Sequence, residues 1–345
     1  MPTAPAQPLT HLARTGVEVS RLCLGTMMFG GWGNKDHDES IRIIHAALDA
    51  GINFVDTADI YAKGESEEIV GKALKNRRDD VVLATKFYNQ LEDGPNHRGG
   101  SRRWIMRAVE DSLRRLDTDW IDLFQMHRPD RHTDIEESLS ALTDLVQQGK
   151  VRYIGSSTFQ PSQVVEAQAV SRERRLARFV SEQPPYSMLA RGIEADLLPT
   201  TRRHDMGAIV WSPLAGGWLS GRFRKDRPFP VTHRDNHDHK RFDIGNPHVA
   251  AKFDAADRLG ALADEIGIPL VTLAIAWTLV HPAVTSAIIG PRTISQLEDQ
   301  LAAAHWSVPD EVLDRIDEIV PPGTTVNPID QGFLNWWLDA DQRRR

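Results

Sequence analysis

The sequence predicts an α/β protein folded as a single closed (β/α)8 TIM barrel. Three observations carry this reading. Short apolar runs alternate with amphipathic runs along the chain. Eight such units fill roughly 270 residues, the size of one barrel. The apolar runs, such as VVLA at 81–84, are nearly continuous, as expected of parallel strands buried on both faces.

In chain order the strands are read at 21–26 (RLCLGT), 53–57 (NFVDT), 81–87 (VVLATKF), 121–126 (IDLFQM), 151–156 (VRYIGS), 178–183 (RFVSEQ), 207–211 (GAIVW) and 286–289 (SAII). Helical patterns lie between them at 38–50, 66–75, 101–116, 134–148, 160–174, 192–203 and 269–280, and another follows at 293–303. SRRW at 101–104 and TDIEES at 133–138 are helix-start patterns, and Gly51 and Gly149 stand where helices end. A doubly wound sheet is the rival fold. It usually places a glycine fingerprint after the first strand. The stretch there, GTMMFGGWG, is not G-x-G-x-x-G, and Gly31 stands where a P-loop needs lysine. Its glycines therefore read as a flexible loop.

The chain has 345 residues, 41% of them hydrophobic, and a net charge of −7. That acidity argues against a general nucleic-acid binder. A single cysteine, Cys23, excludes a disulfide within the chain and favours a reducing, cytoplasmic setting. The start, MPTAPAQPLT, lacks the basic and apolar regions of a signal peptide and reads as a disordered lead over 1–9. No apolar run is long enough to span a membrane. The barrel is expected over 10–320, with a long polar loop at 222–248 and a Pro/Gly-rich tail at 321–345 carrying Trp336 and Trp337. Within that loop His233, His237 and His239, with Asp235 and Asp238, look metal-like, but their spacing matches no closed zinc pattern and no metal is expected.

Barrels place chemistry at the C-terminal ends of their strands. Asp56 ends the second strand, Tyr61 lies in the loop after it, Lys86 ends the third, and His127 follows the fourth. A free phenol has a pKa of about 10 and is a poor acid at neutral pH. An ammonium beside it favours phenolate and lowers that pKa. Lys86 could supply the charge, Asp56 could hold it protonated, and His127 could steer a carbonyl oxygen toward the phenol.

With these residues in place the chain resembles the aldo-keto reductase family. GINFVDTADIYAKGESEEIVGKAL, VVLATKF, IDLFQMHRPD, VRYIGSSTF, SEQPPYSML, VWSPLAGGWLSGRF and IIGPRTISQLEDQLAA carry the resemblance, over roughly residues 10–305. The WSPLAGGWLSG stretch is similar to a bacterial branch that also resembles potassium-channel β-subunits. The resemblance implies an N-terminal β-hairpin capping the barrel bottom, near 10–20. It implies NADPH as hydride donor to a small aldehyde or ketone, with Tyr61 as general acid assisted by Lys86, Asp56 and His127. By motif position, Ser157 and Gln183 would bind the nicotinamide carboxamide, with the neighbouring Thr158 ranked below Ser157. Trp211 would stack on the ring, and Tyr186 either stacks or packs. The Thr26–Met27 backbone and Asp56 would meet the nicotinamide side. Ser212, Pro213, Leu214 and Gly216 would line the pyrophosphate, and Arg222 would reach it. Gly290, Arg292, Gln296, Asp299 and Gln300 would hold the adenosine half. Arg292 favours NADPH over NADH, because a guanidinium grips a 2′-phosphate.

Trp32, Tyr88 and the loop 128–132 are candidates for the substrate pocket, whose aromatics suit an apolar or aromatic carbonyl compound. Two alternatives stand beside the reductase. One is a redox-sensing regulatory subunit that binds NADP(H), against which His127 argues, because the channel-subunit relatives carry Asn there. The other is a sugar or alcohol dehydrogenase running in the oxidative direction. The composition leaves a homo-oligomer open.

Overall fold

Eight parallel strands close into a barrel in the order β10-β3-β4-β5-β6-β7-β8-β9. The structure is a computed structural model that describes residues 7–230 and 241–344. A short antiparallel hairpin, β1 (Leu9–His11) and β2 (Glu18–Ser20), precedes the barrel. The barrel strands are β3 (Leu22–Gly25), β4 (Phe54–Asp56), β5 (Val82–Phe87), β6 (Ile121–Met126), β7 (Val151–Ser157), β8 (Phe179–Gln183), β9 (Gly207–Val210) and β10 (Val284–Ile289). β10 closes the ring on β3 with Ile288 opposite Cys23. All eight expected strands and the hairpin are present.

The helices are α1 (His37–Asp49), α2 (Glu65–Leu74), α3 (Arg102–Leu116), α4 (Ile135–Gln147), α5 (Pro161–Arg174), α6 (Leu197–Arg203), α7 (Pro247–Glu265), α8 (Leu270–Val280), α9 (Ile294–Leu301) and α10 (Asp310–Ile319). Ser101 and Asp134 cap α3 and α4 by accepting the amides of Trp104 and Glu136. Gly51 and Gly149, with φ of 90° and 75°, follow the ends of α1 and α4 in the left-handed conformation that glycine adopts cheaply. Three helices, α7, α10 and a short one at Ala340–Arg343, had no expected counterpart. The buried side of α7 mixes Val249, Leu259 and Leu262 with alanine, glycine and Lys252, so its apolar stripe is interrupted.

The barrel interior is layered, and the layering follows from the period of two along each strand. Cys23, Phe54, Ala84, Leu123, Val180 and Ile209, one from each of six strands, form an apolar cluster with Leu12 and Val19 of the hairpin region. The hairpin thus plugs the bottom. Two residues further along the same strand faces come Asp56, Lys86 and Gln125, all buried. The polar layer lies directly above the apolar one.

The lead expected over 1–9 is ordered by residue 7. Gln7 is buried with its amide 3.4 Å from the His305 ring, and Leu9 opens β1. Residues 1–6 lie outside the described residues, as do His233, Asp235, His237, Asp238 and His239 of the long loop. The described flanks of that loop are fastened by Trp218, which stacks on Phe223 and Phe242 at 4.2 and 5.5 Å. The tail is fastened too: Lys252 pairs with Asp330 at 2.6 Å, and the amide of Val326 donates to Leu189. Trp336 begins a short 3-10 turn, Trp336–Leu338; the side chain of Trp337 lies outside the description. Among the described residues no single helix is long and apolar enough to cross a membrane.

Candidate active site

A cleft of about 560 Å³ opens at the C-terminal ends of the strands. At its floor Lys86 is fully buried, with its Nζ 2.5 Å from Asp56 Oδ1, 2.7 Å from the Thr57 carbonyl and 3.3 Å from the Tyr61 hydroxyl. The other Asp56 oxygen accepts from the amides of Gln125 (3.0 Å) and Gln183 (2.8 Å). The carboxylate is therefore saturated, which a buried charge requires. Gln125 was not foreseen. Its signal lay in the period of two, since it shares a strand face with Leu123 and His127. It also needs space: a Cβ on Gly155 of the next strand would lie 3.2 Å from its Cγ and 2.4 Å from Ser181 Oγ.

Tyr61 hangs in a turn with unusual backbone. Ala62, Lys63 and Gly64 all have positive φ (48°, 59° and 95°) before α2 begins at Glu65. Two consecutive non-glycine residues in this region store strain. Glu65 then accepts the Gly31 amide at 2.7 Å and lies 2.7 Å from His37. A Cβ on Gly30 would come within 2.7 Å of Glu65, so the glycine-rich loop after β3 owes its composition to close approach. This loop was expected to be flexible; it is fastened to α2 instead.

The electrostatics differ from expectation in one respect. Burial raises the Tyr61 pKa, and the opposing Lys86 ammonium does not overcome it. Lys86 was expected to lower that value. Burial disfavours the Lys86 cation, but Asp56 and Tyr61 outweigh it and raise its pKa. His127 is held well below the ordinary imidazole range by burial, with Lys86 and then Arg128 adding to the effect. It is a neutral imidazole. Asn89 Nδ2 lies 3.0 Å from its Nδ1, so with the amide nitrogen donating, the ring proton sits on Nε2. The His127 and Tyr61 rings are 6.0 Å apart, edge to face.

Of the residues expected to hold a cofactor, Met27, Asp56, Ser157, Gln183, Trp211, Ser212, Pro213, Leu214, Gly216, Arg222, Gly290, Arg292, Gln296, Asp299 and Gln300 line the cleft. Thr26 and Thr158 do not. The Thr26 backbone is spent within the fold, its amide donating to the Asp56 carbonyl at 3.0 Å and its carbonyl accepting from Ser66 Oγ at 2.9 Å, and its neighbours Gly25 and Met27 reach the wall. Thr158, at φ +57°, directs its hydroxyl to Arg128. Gln296 spends its carbonyl oxygen on the Arg292 amide at 2.9 Å. Tyr186 is packed, with its hydroxyl on Glu194 at 2.7 Å and its ring against Trp277. Trp32 and Tyr88 are also off the cleft wall, although the Trp32 ring lies 6.2 Å from Tyr61.

The far wall suits an elongated, phosphate-bearing ligand. Ser212, Ala215, Gly216 and Gly217 all have positive φ, so the backbone is tightly turned here, with the Ala215 and Gly217 amides donating to the Ser212 and Leu214 carbonyls. A Cβ on Gly217 or Gly290 would meet nothing within 4 Å. Gln300 Oε1 is buried with no hydrogen-bond partner. Arg222 and Arg292 supply positive charge along this wall.

Comparison with known proteins agrees with this architecture. The model of the aldo/keto reductase family matches residues 21–321. The chain belongs to the aldo/keto reductase family. It is 43% identical over 326 residues to the uncharacterized oxidoreductase YrpG of Bacillus subtilis, covering 91% of this chain and 96% of that one. It is 36% identical to the aldo-keto reductase YhdN of the same organism, covering 94% and 97%. A probable voltage-gated potassium channel subunit beta of Arabidopsis thaliana is 35% identical, covering 90% and 95%. As an aldo/keto reductase the protein is an oxidoreductase acting on carbonyl groups.

Proposed function

We propose that this aldo/keto reductase is an NADPH-dependent carbonyl reductase in which Tyr61 is the general acid. The observation that carries the reading is the buried Lys86 ammonium, shared between Asp56 and the Tyr61 hydroxyl at the floor of the cleft. Ser157, Gln183, Ser212–Leu214, Arg222 and Arg292 would hold NADPH, which when bound would supply a hydride to the carbonyl carbon.

The protein's own residues handle the proton. Tyr61 is kept protonated by burial, so it is loaded to donate. As its O–H proton passes to the carbonyl oxygen, Lys86 stabilises the phenolate left behind, and solvent restores the proton. Asp56 keeps Lys86 cationic and in place. His127, neutral and protonated on Nε2 through Asn89, donates to the carbonyl oxygen and orients it toward Tyr61. Arg292 takes the 2′-phosphate. Its guanidinium has no ion-pair partner among the described residues, while its backbone is pinned by Gln296 and Asn34. The single thiol, Cys23, is buried and free, in keeping with a reducing compartment.

The test is loss of reduced-nicotinamide absorbance with a panel of small aldehydes, for the wild type and Tyr61→Phe. Turnover should fall by about 10²- to 10⁴-fold in the variant with NADPH affinity nearly unchanged. Undiminished turnover would remove Tyr61 from the acid role. The likeness to channel β subunits supports a second reading, a regulatory nucleotide-binding subunit. Multiple turnover by the wild type decides against it.

A further inference from the structure

The cleft wall includes Arg128, a cation that neither the proton relay nor the phosphate wall uses. Arg128 follows His127 directly and lines the cleft. It is partly buried, and its charge is felt at both Tyr61 and His127. Its Nη1 donates to the His127 carbonyl at 3.1 Å and to the Thr158 hydroxyl. These two contacts hold the guanidinium by one nitrogen and leave Nε and Nη2 without a hydrogen-bond partner among the described residues. No carboxylate lies within ion-pair distance of it among those residues.

Glu182 is the one acid near enough to act on Arg128. Its carboxyl is already engaged by Ser156 Oγ at 2.5 Å and the Phe159 amide at 3.1 Å. Burial also pushes its pKa up to about 8, which keeps it largely neutral near pH 7. Arginine remains charged in any protein setting. A guanidinium withdrawn from water without an anion is costly, and its fork geometry matches a carboxylate. The positions expected to meet phosphate, Ser212, Pro213, Leu214 and Gly216 with Arg222 and Arg292, do not include Arg128, whose charge acts instead on Tyr61 and His127. Its missing anion therefore belongs to the molecule being reduced.

We propose that Arg128 is a specificity residue that binds a carboxylate on the substrate, so that the preferred substrates are small aldehydes or ketones carrying a carboxylate a few bonds from the carbonyl. This rests on the reading of Tyr61 and His127 as the carbonyl site. It adds a carboxylate to the apolar or aromatic carbonyl compound expected from Trp32, Tyr88 and the loop 128–132, of which Arg128 lines the cleft and Trp32 and Tyr88 do not.

The experiment compares 4-oxobutanoate and 4-carboxybenzaldehyde, each with its methyl ester, for the wild type, Arg128→Met and Arg128→Lys. Taking the ratio of acid to ester cancels any general loss of activity in a variant. A charge-assisted hydrogen bond is worth roughly tenfold or more. The wild type should prefer the acids by at least about that factor in kcat/KM, mainly through KM. The preference should vanish in Arg128→Met and return in part in Arg128→Lys. Equal use of acid and ester by the wild type, or a preference that survives Arg128→Met, overturns the assignment while leaving the reductase reading intact. NADPH affinity is measured for every variant. A large loss there with an unchanged acid-to-ester ratio assigns Arg128 to the cofactor instead. If the wild type reduces no aldehyde, the reductase reading fails, and calorimetry on the NADP⁺-loaded protein still decides the anion site. Benzoate should then bind better than benzamide, and only when Arg128 is present; equal binding rejects the site.

Discussion

Lys86 and Asp56 form an ion pair at 2.5 Å from which water is excluded, with side-chain exposures of 0% and 2%. The two partners are not equivalently supported. Each has two further partners, but Asp56 accepts the Gln125 and Gln183 amides at 3.0 and 2.8 Å, whereas one of the two of Lys86, the Tyr61 hydroxyl, is at a long 3.3 Å beside the Thr57 carbonyl at 2.7 Å.

Removing either partner should therefore have unequal costs. Asp56→Asn strands a buried cation and should lower stability by about 3 kcal/mol or more. Lys86→Met leaves a carboxylate that still holds two donors, and should cost less. Denaturant midpoints for the two variants check the order. A larger loss in Lys86→Met would contradict this account of the pair.

Cofactor choice is read at Arg292. Arg292→Ala should weaken NADPH binding by roughly tenfold or more, the worth of a charge-assisted contact to phosphate, and leave NADH binding close to that of the wild type. Fluorescence titration with both nucleotides measures it. Equal losses for the two reject a 2′-phosphate contact.

The depressed pKa of His127 bears on the pH profile. An imidazole of ordinary pKa, about 6.5, would become charged as pH falls through that value. Burial, Lys86 and Arg128 keep His127 neutral well below it. The kcat/KM for reduction should therefore show no acid limb near pH 6.5. An inflection there that disappears in His127→Gln would show the ring titrating normally.

Glu182 makes stability depend on pH in the opposite sense to an ordinary surface acid. Burial raises its pKa from 4.5 to about 8 in the folded protein. The folded state thus holds a proton that the unfolded chain has released. The contribution is complete below the unfolded value and is lost as pH rises toward about 8. The thermal midpoint should fall over that range, and Glu182→Gln should flatten the fall. A variant with the same slope as the wild type would place the titration elsewhere.

Much of this protein was legible in the residue pattern. Strand and helix periods are local, so the eight barrel strands could be placed from apolar runs alone. Asp56, Tyr61, Lys86 and His127 could be gathered at one face because parallel strands share a direction. The sequence also located the arginine-bearing and glycine-bearing wall of the cleft. What it left open was set by neighbours distant in the chain. The helix α7 was missed because its buried face mixes Val249, Leu259 and Leu262 with small residues and Lys252, which breaks the apolar stripe. Thr26 and Thr158 sit at suitable positions in their motifs, but the Thr26 backbone is bonded to Asp56 and Ser66 and the Thr158 hydroxyl to Arg128, off the cleft wall. The sign of the Tyr61 shift depended on the balance between burial and one ammonium, and burial is a property of the closed barrel. Gln125 joined the site because Gly155, on the adjacent strand, leaves room for it. Sequence determined the barrel and the residues brought to its open end; tertiary packing decided which polar atoms face the cleft and in which protonation state, because both depend on water excluded by residues far away in the chain.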